Sequence, residues 1–196
     1  PYSGPGKESF RTWMPAVAGM TAYLQIRARQ LGSVKPPKAG GTVKLFLIHH
    51  AEVPNTTENP QAALTTKGRE QCDRLGDRLR TIGVTPTRIL HSDKTWCIET
   101  AKRIAARMGM EDKLEQPPYG IHTGYPIAPF IAEVRQAKSD LMMCGHTEFI
   151  TRAAGMLVAG DEGRKAVEFR PGFNSLACLQ GEGDKWSVFR SEEHTS

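Results

Sequence analysis

Residues 43–52 read Val-Lys-Leu-Phe-Leu-Ile-His-His-Ala-Glu, an apolar run broken only by Lys44 that ends abruptly in two histidines and a carboxylate. A run of this length, Val43–Ile48, is the pattern of a strand buried on both faces, as in parallel sheets covered by helices. Downstream, Thr65 can cap a helix whose positions Gly68, Cys72, Leu75, Leu79 and Ile82 recur at helical spacing before Gly83 ends it. Thr87–Leu90 reads as a second short strand, and Trp96–Met108 as an amphipathic helix stopped by Gly109. Residues 114–126, rich in proline and glycine, read as loop. Ala128–Ala137 is a helix, Asp140–Cys144 a third core strand, and Thr147 caps a helix running to about Ala159. Ser175–Gln180 and Trp186–Phe189 form a closing hairpin. Strands alternating with helices predict an α/β fold: a three-layer sandwich whose open, mostly parallel sheet carries helices on both faces and a C-terminal β-hairpin.

Composition bounds the answer. The chain has 196 residues, 39% hydrophobic and 24% charged, which suits one globular domain with a tail. No apolar run approaches the roughly 18–20 residues of a membrane span. Cys72, Cys97, Cys144 and Cys178 are widely spaced, neither a disulfide framework nor a zinc ribbon, as expected in a reducing cytoplasm. The net charge is +5, but residues 1–42 alone carry +5 and residues 191–196 carry −2, leaving +2 on residues 43–190. A body so nearly neutral has no footprint for nucleic acid. Residues 1–42 have a linker composition, with a short helix expected at Ala16–Leu31 and no secretory signal, so the functional protein is expected to begin near Val43. Residues 191–196 are expected to be an unstructured tail without function.

Three strand ends carry reactive side chains: His49-His50-Ala51-Glu52 after the first, His91-Ser92-Asp93-Lys94 after the second, and Gly145-His146-Thr147 after the third. An open α/β sheet places its ligand beyond the carboxyl ends of its strands. A single histidine is usually structural; histidines at three such ends point to a site.

The same residues resemble motifs of the histidine phosphatase superfamily, in particular its small SixA-like phosphohistidine phosphatase branch. His49-His50-Ala51-Glu52 stands for an Arg-His-Gly-Glu motif, and Leu64-Thr65-Thr66-Lys67-Gly68-Arg69-Glu70-Gln71 for a Leu-Thr-x-x-Gly-x-x-Gln helix start. Ser92–Ala101 stands for Ser-x-x-x-Arg-Ala-x-x-Thr-Ala, and Gly145-His146 for the later Gly-His pair. Order and spacing match over about residues 43–190, with no insertion long enough for a cap domain. The resemblance implies a phosphatase for a phosphohistidine-bearing protein domain or a small phosphoester, with no cofactor, no nucleic acid and no membrane partner. His50 would be the nucleophile, since a neutral imidazole, with an ordinary pKa of about 6.5, attacks phosphorus near pH 7. His146 would stabilise the phosphoryl group, and Glu52 would position a proton or orient a histidine. Thr147, starting a helix, would add the anion-binding positive end of the helix dipole.

Both arginines the resemblance implies are replaced, by His49 and by Trp96. A guanidinium is a permanent bidentate cation, and a transition-state arginine is worth about 10³–10⁵ in rate. Substitute phosphate ligands are expected in Lys94 and His91, which flank Ser92, and in His49 if it protonates below about pH 6.5. Two further readings follow: a degraded phosphate or phosphohistidine binder without turnover, and a divalent-metal site built from His49, His50, His146 and Glu52.

Overall fold

The computed structural model describes residues 41–54 and 61–192, so the helix expected at Ala16–Leu31 lies outside the described residues. The described residues form six strands and four α-helices: β1 (Val43–His49), α1 (Thr66–Thr81), β2 (Arg88–His91), α2 (Thr95–Met108), β3 (Leu114–Glu115), α3 (Ala128–Gln136), β4 (Leu141–Gly145), α4 (Thr147–Ala159), β5 (Leu176–Glu182) and β6 (Lys185–Glu192). They form one open sheet in the order β3-β2-β4-β1-β5-β6. The pairs β2–β3, β2–β4 and β1–β4 are parallel; β5 runs antiparallel to β1 and β6 to β5. The fold is the expected α/β sandwich.

Side-chain alternation along β1 explains the layers. Phe46 and Ile48 pack into a core with Cys72, Leu75 and Leu79 of α1 and Cys97, Ala101 and Ile104 of α2. Leu45 and Leu47 pack on the opposite face with Phe130 and Val134 of α3 and Phe149 and Ile150 of α4. Both faces of the strand are buried, which is why the run is continuously apolar. Phe130 and Phe149 meet with ring centroids 5.8 Å apart, each burying a side chain worth about 1.5–3 kcal/mol.

The local signals acted as their chemistry dictates at most ends. Thr65 is the N-cap of α1, its Oγ1 accepting from the Gly68 amide at 2.9 Å. Gly109 and Gly160 close α2 and α4 in the left-handed region, at φ +70° each. Beside one-residue shifts at β1, β2, α2, α3 and β4, four features differ from expectation. The N-cap of α4 is His146, and Thr147 is already the first helical residue. The 114–126 loop contributes β3, whose two residues pair with Ile89 and Leu90. The hairpin is tighter, with Gly181 and Glu182 in β5 and the turn at Gly183-Asp184. The strand β6 also runs past Phe189, so Ser191 and Glu192 pair with Ala177 and Leu176 and belong to the sheet, not to a tail. No described helix is long and apolar enough to cross a membrane.

Candidate active site

The strand register brings the reactive ends level. In the parallel pairs His49 lies opposite Gly145 and His91 opposite Cys144, so the segments after β1, β2 and β4 leave the sheet at one edge. The His50 amide donates to Gly145 O at 3.0 Å and ties two of these segments together. The His50 and His146 imidazoles face one another nearly edge-on, with ring centroids 5.5 Å apart. The cleft beside them has a volume of about 380 Å³ and is walled by His49, His50, Ala51, Thr147, Glu148 and Gly172, among others. The start of α4 thus opens onto it.

Each histidine is held differently. His50 donates its Nδ1–H to the Ala51 carbonyl at 2.9 Å, which leaves Nε2 bare. Burial pushes its pKa below the ordinary value, so the ring stays neutral. His49 is 3% exposed and donates Nδ1–H to Phe173 O at 3.3 Å. Its backbone is clamped as well: the amide donates to Ser175 O, and the carbonyl accepts from Asn174 Nδ2. Burial, and then the neighbouring His50, push His49 down to about 3. Burial thus opposes the protonation of His49 in mildly acidic solution that the sequence leads one to expect. Burial, followed by His50, likewise pushes His146 down to about 4. Its Nε2 lies 3.3 Å from Ser92 Oγ and 3.5 Å from Cys97 Sγ.

The remaining expected residues are placed around this pair. Ser92 is buried, accepts from the Lys94 amide at 3.3 Å and separates the cleft from a neighbouring hollow of about 300 Å³ that His91 and His122 also line. His91 donates Nδ1–H to Ser92 O. Lys94 is not among the cleft walls; it caps α2 without a side-chain bond, and its ammonium sits 3.6 Å from Asp93. Glu52 is drawn onto the start of α1, where its carboxylate accepts from Thr65 Oγ1 at 3.0 Å and pairs with Lys67 at 3.2 Å. The metal reading fails on this geometry: with Glu52 so engaged, the described residues hold no group of three or more histidines, cysteines or carboxylates placed around an ion. Ala51, which stands for glycine in the motif, carries no strain, because no described non-glycine residue has a positive φ.

The two positions where arginine was implied hold His49 and Trp96. The Trp96 ring is 8% exposed and stands 6.1 Å from both His50 and His146. Its indole N–H has no hydrogen-bond partner among the described residues. Among the described residues no lysine or arginine lines the cleft, and Glu148 on its wall is a carboxylate, accepting from Arg152 and from the Gly124 amide. Sequence reasoning missed Thr123, Glu148, Pro171 and Gly172 on the walls, and His122, whose ring lies 6.0 Å from that of His146. His122 and Thr123 fall in the 114–126 segment read only as loop, Glu148 directly follows the Gly145-His146-Thr147 strand end, and Pro171-Gly172 offers no more than a turn signal.

The histidines meet at the carboxyl edge of this sheet, and residues 45–141, which carry two of the three histidine-bearing strand ends, match the family model of the histidine phosphatase superfamily, branch 1. Among solved structures it is similar to the protein histidine phosphatase SixA complexed with tungstate, at 13% identity, covering 77% of this chain and 97% of that one with a TM-score of 0.68. A candidate phosphohistidine phosphatase SixA from Nakamurella multipartitia is similar at 18% identity, covering 80% and 99% with a TM-score of 0.61. So is a phosphoglycerate mutase from Bacillus anthracis, at 16% identity, 78% and 93% coverage and a TM-score of 0.55. Likenesses at these identities establish the fold and leave the substrate to the site. No curated protein sequence matches the chain.

Proposed function

We propose that the protein is a phosphohistidine phosphatase that works through a phosphorylated His50. The carrying observation is the held imidazole of His50: its Nδ1–H is committed to the Ala51 carbonyl, and its bare Nε2 belongs to a neutral ring facing His146 across the cleft. Nε2 attacks the phosphorus of a phosphohistidine-bearing domain or a small phosphoester, and the bond to the leaving group breaks as that group takes up a proton. Water then attacks the phosphorus, releasing phosphate and free His50. His146 and the amino end of α4 support the phosphoryl oxygens. In this reading Ser92, His91, Lys94 and His49 are the outlying candidate ligands for phosphate, and Glu52 holds the loop that carries His50. Turnover is slow, because no guanidinium reaches the transition state. Four buried, free cysteines support a cytoplasmic setting.

The absence of lysine and arginine from the cleft walls favours a second reading, a phosphohistidine binder without turnover. Incubation with radiolabelled phosphoramidate separates the two. Acid-labile label on the wild type, absent from His50→Ala and chased by water, is the expected result. No label at any pH between about 5 and 8 would overturn the phosphatase. Binding of a phosphohistidine peptide that His50→Ala leaves unchanged would establish the binder.

A further inference from the structure

His146 is the N-cap residue of α4, yet its side chain makes no bond to the helix amides. Its ring is instead pinned from the other side, where Nε2 lies 3.3 Å from the Ser92 hydroxyl and 3.5 Å from the Cys97 thiol. Ser92 decides which way these contacts run. The Ser92 oxygen already accepts from the Lys94 amide, so its proton is free to donate. Burial pushes the Cys97 thiol up to about 12, so the sulfur keeps its proton as well. If Nε2 carried hydrogen, it would donate to a Ser92 oxygen that already accepts from the Lys94 amide, and the hydroxyl proton would turn to the Cys97 sulfur. A bare Nε2, with its single in-plane lone pair, accepts from the Ser92 hydroxyl, with the Cys97 thiol as a weaker second donor. The imidazole proton then lies on Nδ1, which also explains why Nδ1 accepts nothing from the amides of α4.

We propose that Ser92, seconded by Cys97, is a positioning residue that holds His146 in the Nδ1–H tautomer, so that a neutral imidazole presents a hydrogen-bond donor to the phosphoryl group transferred to His50. The second half of this inference rests on the phosphatase reading; the first half does not. It gives the cleft an oriented neutral donor where a guanidinium is lacking, and it moves Ser92 from ligand to orienter. The site then contains two fixed rings of opposite use: His50 with Nε2 bare for attack, and His146 with Nδ1 protonated for donation.

The test is nitrogen-15 NMR of the histidine side chains on the full chain, with His146 assigned by substitution, in the wild type, Ser92→Ala, Ser92→Thr and Ser92→Ala/Cys97→Ala. The wild type and Ser92→Thr should show Nε2 unprotonated and Nδ1 protonated, and the double variant should lose that single tautomer. Orthovanadate, a phosphoryl mimic, should bind roughly 3- to 10-fold more weakly to Ser92→Ala, the loss of one neutral hydrogen bond, with recovery in Ser92→Thr. An Nε2–H tautomer in the wild type, or a double variant that folds with its tautomer unchanged, would overturn the proposal. The tautomer readout needs no turnover. A wild type with Nδ1 protonated but no label on His50 upholds the positioning and removes the phosphatase.

Discussion

His49 and His50 are neighbours in the chain with opposite uses. Strand alternation sends His49 inward against the 173–175 segment, while His50 emerges into the cleft. Burial makes His49 a liability in acid. Its folded pKa, about 3, lies below the unfolded value of about 6.5, so between these limits the unfolded chain holds a proton that the folded one refuses. The stability contribution is therefore complete above pH 6.5 and is lost as pH falls, by about 1.4 kcal/mol per unit across that window. Urea unfolding at pH 7, 5.5 and 4.5 should show a shallower loss in His49→Gln, and slopes equal to wild type would refute the desolvation account. The same direction of shift at His50 moves catalysis the other way. Because its folded pKa is depressed, the neutral nucleophile survives acidification, and phosphoenzyme formation should fall to half only below pH 6.5. A midpoint at or above 6.5 would show that the ring is solvated.

At the scale of elements, close approach decides more than charge. A Cβ on Gly68 would stand 2.2 Å from Glu52 O, the carbonyl that accepts the Thr65 amide. Gly68→Ala should therefore cost about 1–3 kcal/mol and push the 49–52 segment off the cleft. Loss of His50 labelling larger than the stability loss explains would show that displacement; wild-type labelling and stability would refute it. Gly76 plays the same part between α1 and α2, where a Cβ would meet the Arg107 Cβ at 2.6 Å. The loop bearing His122 is braced by Arg88, which grips Glu115 with two bonds of 2.9 Å and also pairs with Glu133, itself bonded by Tyr119. Arg88→Met leaves two half-buried carboxylates side by side and should destabilise by about 2–3 kcal/mol in thermal or urea melts, below the range for a fully buried pair. Adding Glu115→Gln and Glu133→Gln should restore part of that loss. The elements themselves were legible because their signals are local: apolar periodicity, Thr65 as a cap, glycines after α2 and α4. The miss at α4 has a physical cause. Residue type nominated Thr147 as the cap, but the side chain at the true cap position, His146, is committed to Ser92 and Cys97 and leaves the helix amides alone.

For the whole molecule, topology turns distant histidines into one site. The strand order sets β4 between β1 and β2, so segments nearly a hundred residues apart emerge side by side. That juxtaposition was readable, because strand ends of an open parallel sheet share an edge. The far wall of the cleft was not, since Thr123, Pro171 and Gly172 come from loops whose placement depends on packing that carries no periodic trace. The burial that lowers the His49 pKa was no more legible, since a strand-end position does not say whether the ring is covered. No described lysine or arginine lines the cleft, and the place to supply one is Trp96, whose ring stands equally close to both imidazoles. Trp96→Arg should raise the rate of His50 phosphorylation by about 10³, the lower end of the worth of a transition-state arginine, at a cost of about 2–4 kcal/mol in stability for the lost aromatic packing. Trp96→Gln supplies the control, since it creates a similar gap without a charge. If the arginine variant folds and labels His50 no faster than the glutamine variant, cation supply does not limit this cleft; the barrier then lies in the placement of the two imidazoles themselves.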